Sequence, residues 1–230
     1  MNVDVNIAEV EKRISYNFTN KELLKYAITH SSYVNELKIN KWENYQRLEF
    51  LGDAVLELVS SEFLYEGNSV MSEGKMSKVR ASMVCEPALA FCARKFDLGE
   101  LILLGKGEEN GGGRERNSIL SDVFEAIIGG IYLDGGLEEA RKFIHKFVLD
   151  DVEENQLFVD SKSILQEKIQ AQTGSTLCYK LISETGPEHD KNFEVAVYIN
   201  DECKATAVGH NKKDAEQHAA YQVLKQMQGK

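Results

Sequence analysis

Arg47-Leu48-Glu49-Phe50-Leu51-Gly52-Asp53-Ala54-Val55-Leu56-Glu57-Leu58 reads as helix, with apolar residues most of the way round. At about 100° per residue, Leu48, Leu51, Val55, Leu58 and Val59 fall on one side, and Phe50 and Ala54 extend it. A helix that is apolar nearly all round is expected to be buried. The remaining narrow arc holds Glu49, Asp53, Glu57 and Ser60. Glu49 and Asp53, four residues apart, are side by side on it, where like charges repel unless a cation lies between them. A hard divalent metal would serve, since Mg²⁺ is held by carboxylate oxygens. On this stretch alone, a solvated helix edge explains the pair equally well.

A second stretch breaks the tie. Residues 117–133 also read as a helix, with Ile119, Val123, Phe124, Ile127, Ile128 and Ile131 apolar. Asp122 and Glu125 share one face with Gly129, and a glycine there lets another helix come close. Two such helices packed together would gather Glu49, Asp53, Asp122 and Glu125. Four carboxylates at short range cannot all stay ionised without a cation, so the cluster predicts a metal site.

Around these helices, the chain of 230 residues is long enough for one large or two small domains. Its 43% hydrophobic content and two prolines fit a compact, mostly helical protein. No apolar run approaches the roughly 18 residues needed to span a bilayer. The start, Met1-Asn2-Val3-Asp4-Val5-Asn6, lacks the basic and apolar segments of a secretory signal. Four scattered cysteines without a Cys-x-x-Cys pair predict reduced thiols in the cytoplasm rather than a disulfide frame or zinc site. The net charge of −10 argues against a global field that attracts nucleic acid. Residues 160–230 carry nine basic and ten acidic side chains, so the acidity belongs to residues 1–159. Phosphate binding must therefore use local clusters or bound metal.

In order, residues 7–15 predict a short amphipathic helix, and Thr19-Asn20-Lys21-Glu22 a capping box opening a second. His30 is read as a structural hydrogen-bonder, and residues 35–44, with Trp42, as a polar connection. Helices are expected at about 45–65, from Ser72-Glu73-Gly74-Lys75 onward, from Pro87 to Phe96, and from Leu137 to about Val152. Lys75, Lys78 and Arg80 read as a solvated face, with contact to phosphates as the alternative reading. Residues 105–116, rich in glycine and charge, lack the Lys-Ser/Thr ending of a P-loop and read as a mobile connection. After a linker the pattern changes. A helix from 160 to about 172, strands at 177–184, 193–199 and 203–210, and a last helix from 211 to about 227 form an α-β-β-β-α unit.

Gln46-Arg47-Leu48-Glu49-Phe50-Leu51-Gly52-Asp53-Ala54 resembles the signature of ribonuclease III, and residues 118–134 resemble its second acidic motif. The C-terminal unit resembles a double-stranded-RNA-binding domain. The quoted residues are Leu165-Gln166-Glu167, Gly186-Pro187-Glu188-His189-Asp190 and Asn211-Lys212-Lys213-Asp214-Ala215-Glu216-Gln217. The resemblance implies an all-α endonuclease domain at 1–153, a linker at 154–159, and the small α+β RNA-binding domain at 160–230. It also implies a homodimer that cuts double-stranded RNA with Mg²⁺ (Mn²⁺ able to substitute), leaving 5′-phosphates and short 3′ overhangs on ribosomal and other structured precursors. By the family motif, Glu49, Asp53, Asp122 and Glu125 hold the metal, Asp53 and Glu125 are catalytic, and Glu73 is a possible accessory acid. Phe50 matches a dimer-interface aromatic. Gln166, Glu167 and His189 fit minor-groove contacts, and Lys212 and Lys213 fit phosphates. Position 46 departs from the family, with Gln46 in place of the usual Glu.

Overall fold

The computed structural model of the chain describes residues 7–67, 71–150, 157–158, 160–171, 174–186 and 191–228. They fall into two compact units, Met1–Val152 and Glu153–Lys230.

The first unit is helical. It contains α1 (Ile7–Ile14), α2 (Lys21–Ala27), α3 (Ser31–Leu37), α4 (Gln46–Gly67), α5 (Glu73–Met83), α6 (Glu86–Arg94), α7 (Lys106–Asn110), α8 (Asn117–Gly135) and α9 (Leu137–Ile144). A π turn at His145–Leu149 continues α9. The core is built around α8, which buries Ile119, Leu120, Val123, Phe124, Ala126, Ile127, Ile128 and Ile131. Against it lie α2, α4, α6 and α9. No described helix is long and apolar enough to cross a membrane.

Four local expectations change. The helix α4 is not buried all round. Leu48, Gly52, Val55, Leu56 and Val59 face the core, whereas Phe50 is 82% exposed, Tyr65 77% and Leu58 47%. At 100° per residue, Phe50, Ala54, Leu58 and Tyr65 lie within about 80° of arc. This apolar stripe therefore faces away from the core. The helix α3, Ser31–Leu37, runs into the polar connection expected at residues 35–44. An imidazole replaces the usual capping oxygen there: His30 Nδ1 accepts from Ser32 N at 3.1 Å. The cap of α2 is Asn20, whose side chain accepts from Glu22 N, rather than Thr19.

The stretch 105–116 is not a loose connection. It holds α7 and a 3₁₀ turn at Gly113–Glu115. Arg114 Nη1 donates to the carbonyls of Gly99 and Ile102, each at 2.9 Å, and Arg116 pairs with Glu108. Ser32 Oγ and the Glu36 carboxylate accept from the amides of Gly105 and Lys106. Arg114 and Arg116 thus fix by hydrogen bonds a stretch that the sequence reads as mobile.

The second unit packs α10 (Ser161–Gln170) and α11 (Lys212–Met227) with a three-stranded antiparallel sheet in the order β1-β2-β3. The strands are β1 (Leu177–Thr185), β2 (Asn192–Ile199) and β3 (Glu202–Gly209). The register pairs Tyr179 with Val197 and Val197 with Ala205, so these residues point together toward the helices. Leu165, Ile169, Val197, Ile199, Ala219, Val223 and Leu224 form the core. A bulge between Leu181 and Ser183 shifts the register along β1.

Candidate active site

Two glycines set the distance between the helices that carry the acids. A Cβ built on Gly52 of α4 would lie 1.8 Å from the Glu125 carbonyl oxygen. One on Gly129 of α8 would lie 2.2 Å from the Leu48 carbonyl oxygen. The helix backbones touch where a side chain on either residue would hold them apart. Glu49 and Asp53, three residues before and one after Gly52, and Asp122 and Glu125 on α8 flank this crossing.

The electrostatics follow from that closeness. Glu125 is pushed up to about 8, first by burial and then by the charges of Asp53, Asp122 and Glu49. Glu49 is pushed up to about 7 by burial, Asp122 and Asp53. Burial also raises Asp122, against the opposing hydrogen bond from Tyr45. Every neighbouring charge weighing on Glu49 and Glu125 is another carboxylate. Asp53 is exposed.

Among the described residues, no three His, Cys, Asp or Glu side chains are arranged to hold a metal ion. The quartet is a coupled group rather than a preformed cage. Its donor chemistry nevertheless fits a hard divalent cation: all-oxygen ligands with excess negative charge in a partly dry place.

Three residues near the site carried no signal in the sequence. Gly52 lies opposite Gly129 at the helix crossing, but only the latter was legible as a contact glycine. Tyr45, one residue before α4, donates its hydroxyl to Asp122 Oδ2 at 3.1 Å. Glu108 of α7, paired with Arg116, adds negative charge felt by His30 and Tyr45. His30 keeps its structural role, and burial holds its pKa below the ordinary value. Its ring lies 5.6 Å from that of Tyr45.

The other candidate residues lie elsewhere. Glu57 is taken by Arg80 at 2.8 Å. Glu73, at the start of α5, accepts from Ser77 Oγ at 2.9 Å. It lines a separate pocket of about 430 Å³ with Ser61, Glu62, Tyr65, Met76 and Arg80. Phe50 lies on the exposed stripe of α4. In the second unit, Gln166 and Glu167 are exposed on α10, and Lys212 and Lys213 are exposed in the first turn of α11. Asn211 caps that turn by accepting from Asp214 N at 2.9 Å. His189 lies outside the described residues.

Comparison with known proteins agrees with both units. The profile of the Ribonuclease-III-like family matches residues 20–152, and that of the double-stranded RNA binding motif matches residues 161–227. Ribonuclease 3 of Bacillus velezensis is 47% identical over 222 residues, covering 96% of this chain and 89% of the relative. Ribonuclease 3 of Caldanaerobacter subterraneus is 46% identical, covering 95% and 96%. The nuclease domain of ribonuclease III from Campylobacter jejuni, known for flexibility in a region involved in dimer formation, superposes with a TM-score of 0.59. It is 43% identical and covers 63% of this chain and 97% of that domain. The chain belongs to the ribonuclease III family of endoribonucleases, with a double-stranded-RNA-binding motif following its nuclease domain.

Proposed function

We propose that the protein is a Mg²⁺-dependent endonuclease of double-stranded RNA that works as a cytoplasmic homodimer. It leaves 5′-phosphates and short 3′ overhangs, and it processes ribosomal RNA precursors and other structured RNAs. The observation that carries this reading is the carboxylate quartet, held at a glycine-to-glycine helix crossing with two carboxyls pushed to about 7 and 8. A protein that only binds RNA gains nothing from four mutually repelling acids.

Glu49, Asp53, Asp122 and Glu125 would hold Mg²⁺, with Mn²⁺ able to replace it. When bound, the metal supplies a Lewis acid that relieves phosphate charge and makes water a better nucleophile. Asp53, exposed, and Glu125, half-buried, are the residues we assign to catalysis. With its carboxyl pushed up to about 8, Glu125 would have to give up a proton to hold the metal, which would couple metal loading to pH. Gln46 is exposed at the start of α4 and leaves all four carboxylates in place. Glu73 lies away from the quartet and is assigned only an accessory part.

The acidic first unit cannot attract RNA by charge, so affinity falls to the second. There the reading has Gln166, Glu167 and His189 facing the minor groove of an A-form duplex, with Lys212 and Lys213 on the phosphates. The α11 N-terminus adds backbone amides that favour anions. Phe50, with Ala54, Leu58 and Tyr65, gives α4 an apolar face suited to a second copy of the chain.

The test compares duplex with single-stranded RNA, in Mg²⁺ and in EDTA. The expected result is cutting of duplex only, in Mg²⁺ only, with 5′-phosphate ends and short 3′ overhangs. Duplex bound but left intact in both Mg²⁺ and Mn²⁺ would show a binding protein instead.

A further inference from the structure

Tyr45 touches both acidic helices at once. Its backbone carbonyl accepts from Leu48 N at 2.8 Å and from Glu49 N at 2.9 Å, so it is the first acceptor of α4. Its hydroxyl donates to Asp122 Oδ2 on α8 at 3.1 Å. The residue has little freedom of its own. Its amide donates to the Thr29 carbonyl at 3.0 Å, its ring packs beside His30, and only 5% of it is exposed.

We propose that Tyr45 is a positioning residue for the metal-holding carboxylates, fixing Asp122 against Glu49 through one rigid aromatic link. This rests on the metal-site reading above. A phenol suits the task because it orients a carboxylate while leaving its charge uncancelled, which a Lys or Arg in the same place would not do. Hydrogen-bond donors behind ligand side chains commonly set ligand orientation, and their loss weakens metal affinity about 10- to 100-fold.

A second tyrosine–aspartate pair in the same unit supplies the contrast. Tyr16 donates to Asp134 Oδ2 at 2.8 Å, but Asp134 is also filled by the amides of Thr19 and Asn20. These hydrogen bonds tie the end of α8 to the connection between α1 and α2. Asp134 is a structural carboxylate, whereas Asp122 acts electrostatically on Glu49 and Glu125.

The experiment titrates full-length wild type, Tyr45→Phe, Tyr16→Phe and Asp122→Asn with Mn²⁺ by calorimetry. The Mg²⁺ concentration for half-maximal duplex cleavage is measured alongside. Tyr45→Phe should bind Mn²⁺ about tenfold more weakly and need correspondingly more Mg²⁺, with cleavage recovering at saturating metal. Tyr16→Phe should lower the melting temperature and leave metal affinity unchanged. Equal Mn²⁺ affinity in Tyr45→Phe and wild type would overturn the proposal, as would an equal weakening in Tyr16→Phe. If wild type and Asp122→Asn bind Mn²⁺ alike, the metal-site reading fails and takes this role with it. If Asp122→Asn alone loses Mn²⁺, only the role of Tyr45 falls.

Discussion

Glu125 shows how a few ångströms of helix approach become chemistry. Its carboxyl, pushed up to about 8, holds a proton more tightly in the folded chain than in the unfolded one. Between its ordinary pKa of 4.5 and about 8, the folded state therefore binds the extra proton. Its contribution to stability is full below pH 4.5 and lost as pH rises through 8. Metal-free protein should accordingly gain from Glu125→Gln at pH 8 and gain nothing at pH 4.5. After discounting for solvent screening, the gain at pH 8 should be about 1–2 kcal/mol. That is about 2–8 °C in melting temperature. Thermal melts of both proteins in EDTA at the two pH values check this, and equal differences at both would contradict it.

At the scale of elements, the crossing of α4 and α8 is the feature on which the site depends. Gly52→Ala places a Cβ 1.8 Å from a backbone oxygen that cannot move without its helix. Overpacking of this kind should destabilise the protein by about 3 kcal/mol and spread the acids. Gly74→Ala in α5 meets nothing within 4 Å and should be neutral, or stabilising by up to about 1 kcal/mol. Urea unfolding of the two variants decides, and a harmless Gly52→Ala would mean that the helices can separate freely.

Long, strongly patterned elements were legible in the sequence. The helices α4 and α8, their facing acids, Gly129 and the α-β-β-β-α order of the second unit were read from periodicity and motif. Three things were not. The helix α3 is seven residues long and capped by an imidazole, so neither length nor a usual cap announced it. Residues 105–116 are ordered by Arg114 reaching carbonyls of Gly99 and Ile102, a tertiary fact that no local pattern encodes. On periodicity alone the exposed stripe of α4 looked like core, because an apolar face does not say what covers it; only the motif set Phe50 apart.

For the whole molecule, charge and function divide between the units. The acidity lies in residues 1–159, while the second unit is nearly balanced and presents Lys212 and Lys213 on an exposed helix start. Deleting residues 156–230 should therefore weaken duplex binding most at physiological salt, because phosphate contacts carry the salt-dependent affinity. Equal binding by the truncated chain there would contradict the division of labour. The stripe on α4 carries its own test. Phe50→Asp puts a charge at the 82% exposed position and should shift sedimentation from dimer to monomer. A dimer unchanged by it would place the subunit contact elsewhere.

The measurement that bears most directly on the quartet as a single catalytic site uses full-length Glu125→Gln and a long RNA duplex in saturating Mg²⁺. The substitution keeps the size of the side chain and replaces one carboxylate oxygen of the cluster with a neutral amide nitrogen that only donates. Cleavage should fall by at least about a hundredfold, as when a group that stabilises transition-state charge is lost. Duplex affinity, held by the second unit, should stay close to that of wild type. Cutting at the wild-type rate would contradict the assignment of Glu49, Asp53, Asp122 and Glu125 as the active site.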